Sequence, residues 1–449
     1  MWRPPWSASR DRALLDLKMA AQRSTGKGPL TEDPQRAEAL ALDGLDSIAF
    51  ARSLFQVDEG GTIYLDGNSL GMLPRRSLAR VTQIVAEEWG RGLVRSWGAW
   101  VDLPGAVGDL LGEHLLGAAG GQTVVSDATT VNLYKLASAA LDARPGRCVI
   151  VSDRANFPTD RYLLQGLVEA RGMELRLVDF PEVEGPDADL LGPYLGPETA
   201  LVSLSHVDYR SGALADMTAI NQVIHASGAL SLWDLCHSVG AVPIELDASG
   251  TDLAAGCTYK YLNGGPGSPA FLYVRRELQE GLRQPIWGWF GQADQFAMGQ
   301  GYNPLPSIAR FQSGSPAVLG IALVEEGVRL LAEIGIEAIR AKSLALTSFL
   351  IDLHDRWLAP MGFVLATPRD QARRGSQVCL RHPDAYHICR ALLGDASVIA
   401  DFRAPDRLRL GCAAPTTRFV DLYDAVHRLR RIMEDGGYLS LGPEPSRIT

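Results

Sequence analysis

The chain has 449 residues, 46% of them hydrophobic, enough for one large domain with a sizeable core and a smaller second one. Its 43 Lys plus Arg against 52 Asp plus Glu give a net charge of −9 with no dense basic block, which argues against nucleic acid and anionic membrane as partners. The six cysteines lie in apolar stretches without C-x-x-C or metal-ligand spacing, no run approaches a membrane span, and MWRPPWSASRDR lacks a signal-peptide core, so the expectation is a soluble cytoplasmic protein with reduced, buried thiols and no metal.

Residues 1 to about 35 mix Pro, Ser, Gly and charge and read as a lead-in, and the tail LGPEPSRIT reads as dispensable. From about 120 to 275, the runs RCVIVSD, MELRLVDF, TALVSLSH, GALSLWD and SPAFLYV read as buried strands. Between them, TVNLYKLASAAL and DMTAINQVIHAS carry helical spacing, the second opening on Asp216 as an N-cap. This alternation predicts a mostly parallel, doubly wound α/β sheet. Beyond about 320, the helical stretch IEAIRAKSLALTSFLIDLHDRWL, the strands SQVCLRH, VIADFR and RLRLGC, and the helix RFVDLYDAVHRLRRIME predict a smaller α+β domain. The organisation read from this is a lead-in over 1–60, a large domain over 61–320 and a small one over 321–449, with the chemistry where the large sheet's C-terminal strand ends face the small domain.

Trp233 to Val274 is the most informative segment. Asp234 ends a strand, His237 follows three residues later, and Lys260 sits in an apolar, Gly-rich context beside Tyr259. A pyridoxal 5′-phosphate (PLP) enzyme needs this set: a lysine to form a Schiff base and move a proton, a carboxylate to keep the pyridine nitrogen charged, and a group against the ring. Each residue alone has an ordinary explanation, as a solvated lysine, a helix-capping aspartate or a core histidine; their combination with the NGGPG turn does not. In SDATTVNLYK, Thr129 and Thr130 precede a helix and could cradle a phosphate with amides and hydroxyls, with plain N-capping as the alternative. Phe157 follows a strand and is placed to cover a cofactor face, or simply to pack in the core.

The motifs YLDGNSLG, TTVNL, FPTDRY, DYRSGAL, WDLCHSVGAVP, GCTYKYLNGGPG, GWFG and RFQSGSP occur in order over roughly residues 60 to 435, and in them the chain resembles kynureninase. The resemblance implies fold type I, with a mostly parallel seven-stranded sheet in the large domain and an α+β C-terminal domain. It also implies PLP-dependent hydrolysis of kynurenine, or a ring-substituted kynurenine, to an anthranilate and alanine. By resemblance Lys260 is the aldimine lysine, and Asp234 and His237 belong to the ring-binding strand. Thr129, Thr130, Tyr259 and Ser315 fall on the phosphate side, Phe157 and Asp160 flank the ring, and Ser205 lies near it. Trp289 and the Gly314-Ser315 pair match positions that reach the neighbouring subunit's site, which implies a homodimer with shared active sites. Arg409, at the end of a small-domain strand, matches the arginine that takes the substrate α-carboxylate; Asn68 and Ser69 line the substrate side, and Trp97 lies toward the aryl ring. In the implied mechanism Lys260 removes the α-proton, water adds to the γ-carbonyl, the β,γ bond breaks, and Tyr259 delivers a proton.

Three departures bear on the substrate: Gln292 stands where His is common after GW-x-G, Thr416 where relatives carry an aromatic residue, and Thr129 where an apolar residue is usual. The alternatives are another PLP reaction, such as a β-lyase, desulfurase-like or aldolase-like one, and, from another class, a catalytically silent PLP-binding protein. A desulfurase needs a cysteine on a mobile loop, whereas Cys236 and Cys257 fall in expected core elements. A Rossmann dehydrogenase is disfavoured because NGGPG lacks G-x-G-x-x-G spacing.

Overall fold

Two clusters of apolar side chains, divided residue by residue along the same strands, set the architecture of the computed structural model, which describes residues 33–440 apart from 59 and 395. The first part of the lead-in and the C-terminal tail lie outside these residues. Along β2 (Val149–Asp153) Ile150 joins one cluster, Val149 and Val151 the other; along β4 (Thr199–Ser205) Leu201 parts in the same way from Val202 and Leu204. A period of two with both sets buried means a sheet covered on both faces, which is why these strands read as unbroken apolar runs.

The sheet is completed by β1 (Thr123–Val125), β3 (Glu174–Val178), β5 (Leu230–Asp234), β6 (Leu253–Gly256) and β7 (Phe271–Val274), in the order β1-β7-β6-β5-β4-β2-β3. β7 runs opposite to the other strands of the sheet, antiparallel to both β1 and β6. The short β1 and the Ala-rich β6 carry little strand signature of their own and are not among the strands that the apolar runs predict. The helix α2 (Thr129–Asp142) packs on one face through Leu133 and Leu136, together with Leu164 of α3 (Pro158–Arg171); each such leucine contributes about 1.5–3 kcal/mol on burial. On the other face lies α4 (Met217–Ser227), where Asp216 accepts from the Ala219 amide at 3.0 Å, the cap its sequence predicted.

The C-terminal unit carries a four-stranded antiparallel sheet, β10-β11-β9-β8, from β8 (Val364–Leu365), β9 (Gln377–Arg381), β10 (Asp401–Arg403) and β11 (Arg407–Gly411). The expected single strand VIADFR is split: Val398–Ile399 pairs in parallel with Ile63–Tyr64, and only Asp401–Arg403 joins β11. The helices α5 (Val318–Ile334), α6 (Ile336–Leu353) and α7 (Phe419–Asp435) and the helix Ala385–Gly394 accompany this sheet, and the division read at 320/321 falls inside α5. The helix α1 (Pro34–Gly44) of the lead-in is fixed to α7: Asp43 accepts from the amides of Phe419 and Val420, and the Tyr423 hydroxyl donates to Asp33.

The GNSLG segment is clamped between the two units. The Leu65 amide donates to Ile399 and its carbonyl accepts from Gly411, while the Gly71 amide donates to the Tyr259 carbonyl at 2.8 Å. Of the six cysteines, all free, five are buried as expected; Cys148, just ahead of β2, is exposed because the strand's burial begins one residue later.

Candidate active site

The parallel strands β2, β4, β5 and β6 all end at one edge of the large sheet. Register places Ser205 beside Asp234 and Asp234 beside Ala255, and the chain leaving β6 delivers Lys260 to the same edge. The antiparallel β7 begins there, so the NGGPG turn that feeds it closes over the strand ends.

Lys260 is half-buried, its Nζ 2.9 Å from His237 Nε2 and 6.0 Å from the centre of the Phe157 ring. Phe157 in turn meets Tyr209 edge to face at 5.2 Å. His237 is buried, and burial, then the Lys260 and Arg409 charges, push its pKa well below the usual imidazole value, so the ring is neutral. Asp234 is buried and accepts from the Cys236 amide at 2.7 Å. Facing it is Asp160 in the first turn of α3, whose carboxyl is held well above the ordinary range by burial and then by Asp234. The Ser205 hydroxyl donates to Asn156 Oδ1 at 2.6 Å, which also accepts from the Phe157 amide. Tyr259 is half-buried next to Cys257, its phenol raised by burial and then by the Cys257 and Cys236 thiols.

At the start of α2, the N-cap is Ala128 and no side chain caps the helix, so Thr129 and Thr130 are its first two residues rather than caps. Asp127, at a φ of 51°, turns the chain into the helix and is held by Lys135, fully buried, whose Nζ lies 2.5 Å from Asp127 Oδ2 and 2.5 Å from the Phe311 carbonyl. A cavity of about 260 Å³ lies against this turn, lined by Asp127, Gly267, Ser268, Ser313, Gly314 and Ser315 among others. The structure thus brings the Gly314-Ser315 pair to the helix start within one chain.

On the side of the C-terminal unit, Arg409 is the middle residue of β11 rather than its end, because the strand runs on to Gly411 and pairs there with Gln377. Its guanidinium donates to Asp401, to Ser69 Oγ at 3.2 Å and to the Tyr209 carbonyl at 2.8 Å; Nε has no partner among the described residues. Burial lowers its pKa. Asn68, wholly buried, donates to Gln377 Oε1 at 3.2 Å.

Other expected site residues lie apart from this centre. Trp289 is 43% exposed, packed edge-on against Phe290. Trp97 is half-buried against Trp100 and Phe290, so these aromatics form their own group. Gln292 holds its own loop, Oε1 accepting from the Asn303 amide at 2.6 Å, and Thr416 is buried with its hydroxyl on the Ala413 carbonyl. Residue-by-residue reading missed Gln377, Asp401, Asn156, Tyr209 and Lys135; of these, Lys135 alone gave a usable signal, as a cation on the apolar face of a buried helix.

This constellation fits PLP. A buried acid pair with one carboxyl driven toward protonation, and with Asp160 Oδ2 lacking a partner among the described residues, has room electrostatically for a cationic ring nitrogen. The uncapped helix start suits a phosphate.

Comparison with known proteins agrees. A family model described as the kynureninase C-terminal domain matches residues 339–429. The chain is 46% identical over 407 residues to the kynureninase of Burkholderia pseudomallei strain 1106a and 45% identical to that of Pseudomonas fluorescens, in each case over 89% of this chain and 95% of the relative. Among solved structures it is similar in fold to the cysteine desulfurase of Thermococcus onnurineus NA1, with a TM-score of 0.72 at 18% identity over 83% of this chain and 94% of that one.

Proposed function

The chain belongs to the kynureninase family, and on that premise we propose that it is a PLP-dependent hydrolase of carbon–carbon bonds that cleaves L-kynurenine, or a ring-substituted kynurenine, to the anthranilate and L-alanine in tryptophan catabolism. The observation that carries the reading is the convergence of the Lys260 amine on a neutral His237, the Asp160–Asp234 acid pair and Arg409 at one edge of the sheet.

In this proposal Lys260 would hold PLP, Asp234 with Asp160 would serve its ring nitrogen, Phe157, His237 and Ser205 would serve its ring, and Thr129, Thr130, Tyr259 and Ser315 would serve its phosphate. When bound, PLP supplies an electron sink for charge left on the substrate α-carbon. Arg409, whose terminal nitrogens are held by Asp401, Ser69 and the Tyr209 carbonyl, takes the α-carboxylate. Asn68, Ser69 and Gly314 line the substrate. Lys260 takes the α-proton and water adds to the γ-carbonyl; as that hydrate collapses the γ-carbon leaves as the carboxyl carbon of the anthranilate, the Cβ–Cγ electron pair stays on Cβ, which takes a proton to become the methyl group of L-alanine, and Lys260 returns a proton to the α-carbon. The Tyr259 phenol, held protonated by burial, is a proton donor at neutral pH.

The homodimer with shared sites belongs to the same proposal. It is supported by the exposed aromatic group of Trp287, Trp289 and Phe296, an apolar surface of the kind that a second copy covers. A cytoplasmic location is proposed from the free thiols; no helix among the described residues is long and apolar enough to cross a membrane.

The test is a spectrum of the purified protein with PLP, then addition of L-kynurenine and 3-hydroxykynurenine with detection of the aromatic product and alanine. A lysine-linked absorption band that disappears in Lys260→Ala, with release of either anthranilate, supports the proposal. A band with no cleavage of either substrate overturns the hydrolase reading and leaves only PLP binding.

A further inference from the structure

Gln377 lies in β9, in the other unit from Lys260, and is 1% exposed. Its amide orientation is fixed by chemistry. The Nε2 side faces two groups that can only accept, the Tyr209 carbonyl at 3.0 Å and the Asp208 carbonyl at 3.4 Å. Oε1 must therefore point the other way, where it meets Asn68 Nδ2 at 3.2 Å and His237 Nδ1 at 3.2 Å. Asn68 is fixed in the same way, since turning its amide over would set oxygen against oxygen. An amide oxygen only accepts, so the contact at His237 Nδ1 is a hydrogen bond only if Nδ1 carries the proton. In a neutral imidazole that leaves Nε2 bare, and Nε2 is the atom 2.9 Å from Lys260 Nζ.

We propose that Gln377 is a positioning residue that sets the His237 tautomer, so that His237 Nε2 accepts one N–H of the Lys260 amine and leaves the amine's lone pair directed away from the imidazole. The opposite tautomer would donate Nε2–H into that lone pair and occupy the electrons the lysine needs, both as the nucleophile toward an aldehyde and as a base. The relay Asn68–Gln377–His237–Lys260 thereby joins the GNSLG segment and the C-terminal sheet to the lysine. His237 stays neutral because burial and the facing Arg409 and Arg403 charges oppose a second proton, as does Lys260 for as long as its amine is protonated. The inference rests on the assignment of Lys260 as the PLP lysine but not on which substrate is cleaved.

The test is a long-range ¹H–¹⁵N correlation spectrum of full-length protein labelled in histidine, at pH 7.5, with PLP bound and after its removal. The His237 signals are assigned by their loss in His237→Asn. The expected result is a protonated Nδ1 and a bare Nε2 in both states. Gln377→Met, similar in volume but without an acceptor, is expected to move the population to Nε2–H. It should also slow PLP uptake by the cofactor-free protein by about tenfold, the equivalent of one hydrogen bond tying up the lone pair. Gln377→Glu restores an acceptor opposite Nδ1 and is expected to restore the wild-type tautomer. A wild-type spectrum showing Nε2–H overturns the proposal even if neither variant folds, as does an unchanged tautomer in folded Gln377→Met. Failure to cleave kynurenine leaves these spectra unaffected, so the two readings fail separately.

Discussion

Replacing Gly71 by Ala tests the clamp between the GNSLG segment and the lysine loop. Gly71 is not in the left-handed region, so the substitution does not probe backbone strain. It probes distance: a Cβ there would lie 2.2 Å from the Lys260 carbonyl oxygen, 2.4 Å from Asn263 Oδ1 and 2.9 Å from Asn263 Cα, against an ordinary contact of 3.4 Å or more. Two of those atoms are backbone, so the segments must part by more than an ångström. That strains or breaks the hydrogen bond from the Gly71 amide to the Tyr259 carbonyl. Losing that bond costs about 1 kcal/mol and overpacking about 1–3 kcal/mol, so the expected destabilisation is roughly 2–4 kcal/mol. Because the strain falls on Tyr259 and Lys260, PLP affinity is expected to fall as well. The assay is urea unfolding of cofactor-free protein together with equilibrium dialysis of PLP. Gly105→Ala serves as the control: nothing lies within 4 Å of its added Cβ in the helix Leu103–Leu111, and it is expected to stabilise by about 0.5–1 kcal/mol. A Gly71→Ala protein with wild-type unfolding and PLP binding would refute the close-approach argument.

Three further outcomes are expected. Burial lowers the His206 pKa to about 4 from 6.5, so the unfolded chain binds the proton more tightly; the stability this neutral ring contributes is complete above pH 6.5 and is lost as pH falls toward 4, about 2 kcal/mol by pH 5. Asp153, raised to about 6 by burial, acts in the opposite sense and gains about 1.4 kcal/mol over the same range, so the check is the change in urea stability from pH 7.5 to 5 for wild type against His206→Asn: a small net loss is expected in wild type and a net gain in the variant, the two differing by about 2 kcal/mol. Lys135→Met removes the cation that holds Asp127 and the Phe311 carbonyl; with Asp127 partly exposed, the expected cost is about 2 kcal/mol, with weaker PLP retention in dialysis, and unchanged retention would count against a role at the helix start. Arg409→Lys keeps a charge for Asp401 but loses the fork that also reaches Ser69 and Tyr209; a folded protein with kcat/KM for kynurenine reduced at least tenfold is expected, and wild-type kinetics would exclude Arg409 from the substrate carboxylate.

Lys260 and Asp234 stand out in the sequence because PLP chemistry narrows the residue type to a lysine amine and a carboxylate at a strand end, whereas the start of α2 does not: Thr129 and Thr130 read as residues preceding the helix and are its first two. The same reasoning located β2, β4 and β5, whose apolar runs are long enough to declare a doubly covered sheet. It passed over β6, because Leu253–Gly256 is a strand by virtue of its two neighbours rather than of its own β-branched content. The expected strand end at Arg409 shifted for a related reason: the residues that extend β11 find their partners on β9, more than twenty residues earlier.

The supporting polar groups are harder to read because several residue types could do their work and their partners are remote. Gln377 meets His237 across 140 residues and Asn68 across 309, and nothing in SQVCLRH marks its glutamine as anything but the start of a strand. Asp401 shows what such groups contribute. Wholly buried beside Arg409 on the neighbouring strand, it keeps the guanidinium charged and oriented in a dry environment where an unpaired cation would be costly. A substrate carboxylate then joins an arginine already held in place instead of having to order a free side chain, so more of its binding energy is available at the reacting bond. The lysine and the arginine thus share a design: each is held by a residue from another strand or segment that takes part in no bond-making step, and the fold is what delivers both holders to one edge of the sheet.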